Sequence, residues 1–341
     1  MLRQLPIRSV LVFTLALVPT GLGWAGEPLP PEPGDLLGST GQVGAALIDI
    51  DPATGTGTFR APLNSLGPVT EIEFRADGVL FGTTGQGASN VITIDPTTGA
   101  ETLVGQHPFG ATNGLEFVGS TLYGSFFSAG PPLGEGDGPP LYSLVTIDQT
   151  DGSLTPIGPI EDYFPIRGLA YDEATATMYG IGVPLSQPPP PQAGEPDGLS
   201  DVLFTIDLTT AATTEVGPTG FFLGALEFGP DGTLYGGTDG AGGQAARSSF
   251  AGAAGWESED AREPGEGNGG GALLVTVDPA TGAGTAVGPT GFPAVSGLSF
   301  VPGGEQGGGS VLEIPSLSGL GLVALALLLA AAALVAVRRR G

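Results

Sequence analysis

Glu73, Glu116 and Glu227 hold the same place in three copies of a recurring motif: Glu71-Ile72-Glu73-Phe74, Gly114-Leu115-Glu116-Phe117 and Ala225-Leu226-Glu227-Phe228. Two further copies, Gly168-Leu169-Ala170-Tyr171 and Gly297-Leu298-Ser299-Phe300, carry a small residue there. If these motifs are the innermost strands around one axis, the three carboxylates line a channel. A charge at so crowded a position must be solvated, paired or bound to a cation. The residues could thus hold Ca2+ or a sugar, supply the acid and base of a glycosidase, or simply face channel water. Arg75 and Arg167, adjacent to two of the motifs, are placed to neutralise one of them.

Little other chemistry is on offer. The single histidine, His107, sits beside Pro108 and gives a Ser–His–carboxylate triad one weak candidate base; a turn-lining or solvated role is the plainer reading. Cysteine is absent, which removes disulfides, thiolate metal sites, cysteine nucleophiles and lipoprotein anchoring. With one histidine and no cysteine, a His/Cys metal cluster is excluded by count. No phosphate-cradling Gly-rich loop of the Walker type is present, and no organic cofactor is expected. The chain has 35 acids against 10 arginines and no lysine, and residues 26–313 carry a formal charge of −30. Such a body repels nucleic acid, whose phosphates are bound through Lys and Arg.

The elements that position the glutamates are legible as repeats. An Asp joint occurs at Ile50-Asp51-Pro52-Ala53-Thr54-Gly55, and again at Asp95, Asp148, Asp207 and Asp278. A Leu-Tyr-Gly-like element recurs at residues 36–38, 80–82, 122–124, 178–180 and 234–236. Each joint is followed by a short Thr-x-Val-Gly-like segment, such as Thr214-Glu215-Val216-Gly217. In the joints Asp bonds backbone N–H groups ahead of it, Pro presets φ, and Gly takes the left-handed position, so the aspartates are read as structural.

Four short strands per unit, five times over, predict an all-β fold: a five-bladed β-propeller over residues 36–302. The last Gly-Leu-x-Phe strand, at 297–300, has no partners after it, and the chain begins at Leu36 with the three strands it lacks. Closure of one blade by both termini is expected, which also removes exposed sheet edges. Long insertions at about 127–140, 183–200 and 239–271 read as loops, and 303–313 as a Gly-rich tether.

Both ends read as addresses. Residues 1–25 have the basic start, short apolar core and small residues of a signal peptide, with cleavage expected after Ala25 and a linker over 26–35. From Gly319 to Val337 no residue is charged, and Arg338, Arg339 and Arg340 follow at once. That is one transmembrane helix with its arginines in the cytoplasm and the body outside. Ile314-Pro315-Ser316-Leu317-Ser318, the apolar helix and the arginine cluster together resemble the IPTL-CTERM protein-sorting tail, a relative of the PEP-CTERM tail. Ser316 replaces the Thr of the family name, and the Glu-Trp pair often found next is missing. The resemblance implies an exported protein of a Gram-negative envelope and a membrane-embedded sorting protease as partner. The repeat unit also resembles extracytoplasmic propeller repeats of bacterial surface proteins.

These readings combine into an expectation. The chain is an exported surface propeller, anchored or released, that acts as a non-catalytic binding or structural module for an envelope glycan or protein. The alternative is a carbohydrate-active hydrolase or lyase using Glu73, Glu116 and Glu227.

Overall fold

The computed structural model describes residues 29–41, 45–63, 66–85, 89–107, 110–128, 142–185, 200–238 and 271–303. Twenty strands form five four-stranded antiparallel sheets among them. The first blade takes β1 (Leu36–Ser39), β2 (Ala46–Ile50) and β3 (Gly57–Pro62). The second is β4 (Val69–Phe74), β5 (Leu80–Thr84), β6 (Ser89–Ile94) and β7 (Glu101–His107). The third is β8 (Ala111–Val118), β9 (Thr121–Phe127), β10 (Tyr142–Ile147) and β11 (Leu154–Ile160). The fourth is β12 (Tyr163–Asp172), β13 (Thr177–Pro184), β14 (Val202–Ile206) and β15 (Thr213–Pro218). The fifth is β16 (Leu223–Phe228), β17 (Leu234–Thr238), β18 (Leu273–Val277) and β19 (Gly284–Pro289).

The last strand, β20 (Gly297–Phe300), completes the first blade by pairing antiparallel with β1, Leu36 opposite Phe300 and Ser39 opposite Gly297. The five innermost strands pack in the cyclic order β4, β8, β12, β16, β20 and back to β4, so the ring is shut. The expected five-bladed propeller and its terminal closure are both present.

The Asp joints behave alike. Asp207 Oδ1 accepts from Thr209 N at 2.8 Å, Thr209 Oγ1 at 2.6 Å and Thr210 N at 2.9 Å, and its carbonyl accepts from Ala211 N at 2.8 Å. These bonds hold its carboxyl down at about 2. Gly55, Gly99, Gly152 and Gly282 take positive φ at the end of their joints, and in the fourth copy Ala211 adopts φ +62° instead. A glycine within the outermost strand that follows four of the joints has a different reason. A β-carbon on Gly288 would overlap the Thr54 carbonyl of the adjoining blade, and Gly105, Gly158 and Gly217 meet neighbouring joints in the same way. The outer ends of the blades therefore dock backbone against backbone.

The third and fourth strands of every blade pair with a register shift. The extra residue of the bulge is Val104, Ile157, Val216 or Val287, each packed against a buried cluster, and bulges re-aim a side chain in this way. In the first blade that residue is Arg60, which pairs with Asp49 at 2.6 Å. Blades thus meet through apolar side chains: Leu36, Ile48 and Leu298 of the first blade pack with Leu274 of the fifth.

Among the described residues no helix is long and apolar enough to cross a membrane. The expected signal peptide, the 319–337 helix, residues 314–318 and Arg338 to Arg340 lie outside the described residues, as do most of the three long insertions.

Candidate functional site

Glu73 on β4, Glu116 on β8 and Glu227 on β16 converge on the ring axis. One carboxylate oxygen from each lies within 4.8 Å of the others, and the residues are only 6%, 7% and 8% exposed. A single rule places them. At this position of each inner strand, the side chain bonds the backbone N–H of the following aromatic residue on the next blade. Glu73 accepts from Phe117 N, Glu116 from Tyr171 N, and Glu227 from Phe300 N at 3.3 Å. Ser299 closes the circle, its Oγ accepting from Phe74 N at 2.9 Å, and its hydroxyl also bonds Glu73. Ala170 is the one copy with no oxygen to offer. The glutamates are therefore inter-blade clasps as well as a carboxylate cluster, and one oxygen of each is spoken for by the scaffold.

A fourth acid joins them. Glu71 occupies the place where the other copies have Gly114, Gly168, Ala225 and Gly297, and it is 1% exposed. Its Oε1 accepts from Leu298 N at 3.3 Å across the closing seam, while Oε2 has no hydrogen-bond partner; Oε2 of Glu73 is likewise unpartnered. The sequence signal was available, since a charged residue replaced Gly or Ala at a crowded repeat position.

Neither arginine neutralises the cluster, contrary to the expectation from sequence. Arg75 bonds Asp77 at 2.7 Å and Gln149 at 2.8 Å. Arg167 bonds Asp201 at 3.0 Å, with side chains 9% and 0% exposed. Arg60, the third arginine among the described residues, is held by Asp49. Burial, with no counter-ion among the described residues, pushes all four carboxyls up: Glu73 to about 8, and Glu71, Glu116 and Glu227 well above their ordinary range, these three being raised further by like-charge repulsion within the cluster.

The Arg167–Asp201 pair carries a prediction of its own. Asp201 also accepts from Leu223 N at 2.7 Å, so removing the guanidinium strands a carboxylate that has no exposure. Arg167→Met is expected to destabilise the ring by about 3–5 kcal/mol. Urea unfolding of this variant checks it, and adding Asp201→Asn should restore much of the loss.

The glutamates open onto a cavity of about 550 Å³ at one end of the channel. It is lined by the aromatic residues that follow the three glutamates and Ala170, namely Phe74, Phe117, Phe228 and Tyr171, and its mouth is the strand-connecting hairpins with Asp172, Glu173 and Asp231. That volume lies within the roughly 300–1,000 Å³ of small-ligand pockets. Convergence keeps the hydrolytic reading in view. Carboxylate oxygens, one from each residue, within 4.8 Å of one another lie nearer the roughly 5–5.5 Å spacing of a retaining pair than the roughly 6.5–9.5 Å of an inverting one.

His107 is away from this chemistry. It ends β7, the outermost strand of its blade, donates to the Gly152 carbonyl and lies edge-on to Phe126 at 6.0 Å, while its Nε2 is buried without a partner. Burial holds its pKa down. No triad is assembled around it among the described residues.

No family model matches the sequence, and no curated protein matches it. Among solved structures, the chain is similar to one of a nidogen/laminin complex at 10% identity, over 78% of this chain and 98% of that one, with a TM-score of 0.45. It is similar to a gluconolactonase from Xanthomonas campestris at 13% identity, over 79% and 80% of the two chains, with a TM-score of 0.42. An aldose sugar dehydrogenase from Streptomyces coelicolor in its PQQ-bound form matches at 15% identity over 62% and 88%, with a TM-score of 0.40.

Proposed function

We propose that this chain is an exported binding module of the bacterial envelope, whose propeller presents the channel mouth to an envelope glycan or protein. The observation that carries the binding reading is the 550 Å³ cavity with aromatic walls, acidic rim and carboxylate floor. Aromatic faces and fixed polar groups are what orient a sugar or a peptide side chain, and the ring supplies a rigid frame for them. Export and tethering rest on sequence. The basic and apolar segments of residues 1–25 direct the chain across the inner membrane. The 319–337 helix with Arg338, Arg339 and Arg340 holds it there, and Ile314 to Ser318 mark where a sorting protease releases it. The high negative charge of the body limits non-specific adhesion and self-association.

Two measurements test this. Mass spectrometry of the protein recovered from the envelope and medium of a Gram-negative host should find a chain beginning at Gly26. In the released fraction, the chain should lack the helix and arginine cluster. A cytoplasmic chain beginning at Met1 overturns export. A glycan array probed with the recovered protein should give ligands whose binding is lost in Tyr171→Ala. Binding that ignores this wall residue overturns the mouth as the recognition site. A glycoside product, lost in Glu116→Gln, would instead establish the hydrolase reading.

A further inference from the structure

We propose that Glu73, Glu116 and Glu227 form the binding site of one hard divalent cation, Ca2+ being the ion that fits, at the inner end of the cavity. The inference stands apart from export and from the identity of any glycan or protein ligand.

Four observations converge on it. The first is geometric. A triangle with no side longer than 4.8 Å contains a point within about 2.8 Å of every corner, so one cation can reach all three oxygens at close to the roughly 2.3–2.6 Å of Ca–O bonds. The second is the orphaned oxygen. Glu73 Oε2 is buried in a residue only 6% exposed and has no hydrogen-bond partner, while the other oxygen is fixed by Phe117 N and Ser299. An unpartnered buried carboxylate oxygen is costly unless something completes it. Glu71 Oε2, beside the trio, is orphaned in the same way. The third is charge. All three arginines among the described residues are committed to Asp49, Asp77 and Asp201, so none of the described arginines is paired with the cluster.

The fourth is donor chemistry. The site offers carboxylate oxygens and the Ser299 hydroxyl, with neither imidazole nor thiolate, which selects hard cations over Zn2+ or Cu2+. The clasp from each glutamate to the next blade holds one oxygen of each carboxylate in place before any ion arrives, and this lowers the ordering cost of binding. Ala170 leaves one sector of the pentagon without a protein donor. The cavity opens above it, so water or an oxygen of a bound ligand can complete the shell.

The test uses the purified protein, stripped with chelator and titrated with CaCl2 or MgCl2 at constant ionic strength. CaCl2 is expected to raise the thermal midpoint by roughly 5–10 °C at a hundredfold excess over its dissociation constant. Calorimetry should give one ion per chain, with MgCl2 markedly weaker. Glu116→Gln and Glu227→Gln keep the shape and the inter-blade hydrogen bond while removing charge, so both should fold, and both should lose the calcium shift. No shift up to about 10 mM, above the roughly 10⁻⁴–10⁻³ M range of extracellular calcium modules, overturns the site. A shift of equal size in the two variants also overturns it, by assigning the effect to surface acids.

Discussion

With divalent cations removed, the protein is expected to lose stability as pH rises from about 5 to about 8, the reverse of the trend for carboxylates held by salt bridges. Glu73 binds its proton more tightly folded, with burial carrying it from its ordinary 4.5 to about 8, and Glu71, Glu116 and Glu227 are raised for the same reason. Between those values the folded chain holds more protons than the unfolded one. The stability contribution is therefore complete below about 4.5 and is lost as pH climbs through the folded pKa. Each such group contributes a slope of about 1.4 kcal/mol per pH unit, so Glu73 alone is worth up to roughly 5 kcal/mol across the window. The opposing effects are smaller or lie at lower pH. Asp51, Asp77, Asp148, Asp207 and Asp278 are all shifted down by hydrogen bonds, so their stabilisation disappears only below their ordinary 3.8. His107 is shifted down from 6.5 by burial, so below that value it opposes the decline, one half-buried group against four buried carboxyls. The midpoint of urea unfolding in chelator should thus peak near pH 4–5 and decline steadily through neutrality. Glu73→Gln should flatten the decline, and saturating CaCl2 should abolish it in the wild type. A midpoint that climbs toward pH 8 would mean that the glutamates are solvated rather than buried.

The blades were legible because their turns are chemical. An Asp that captures N–H groups ahead of it, followed by a residue at positive φ (Gly in four copies, Ala211 in the fourth blade), specifies a joint whatever the ring around it does, and five joints count five blades. The glutamate trio was legible for a related reason, since equivalence within a repeat becomes adjacency around an axis. Glu71 was harder to see. It lies two residues before Glu73 and so shares its face of the strand, but the other copies show a position reserved for close backbone approach. A β-carbon on Gly297, for instance, would fall 2.7 Å from Ile72 N. The two arginines were misassigned because nearness in sequence says little about direction. The inner strand shifts register around Arg167, between Ile166 and Gly168, and its partner Asp201 lies 34 residues on, beyond an insertion. Arg75 stands past the end of β4, where Asp77 is the acid within reach.

Removing β20 should abolish the fold, and returning it at the other end of the chain should restore it. A chain ending at Val295 loses the inner strand of the first blade: the pairing with β1, the buried Leu298, and the Ser299 and Phe300 ends of two inter-blade clasps. It also loses the Leu298 N–H that Glu71 accepts from. Two large side chains returned to water cost about 1.5–3 kcal/mol each, before counting the ladder hydrogen bonds and the four acids then left at an open seam. A domain whose net stability is of order 5–15 kcal/mol has little left after that, so no cooperative unfolding transition is expected. A control ending at Gly303 keeps every one of these contacts and should unfold cooperatively. The decisive variant is a permutant that carries residues 296–303 ahead of Gly34. Gly34 N already donates to the Val301 carbonyl at 2.9 Å, and Val301 N to the Asp35 carbonyl at 2.8 Å, so the two segments meet as the arms of a hairpin and need only a short linker. In the native chain the same contacts tie residues far apart in sequence. The permutant makes them local, and its refolding should be faster than that of the Gly303 control while its midpoint stays close to it. If the chain ending at Val295 unfolds as cooperatively as the control, ring closure does not hold this propeller together.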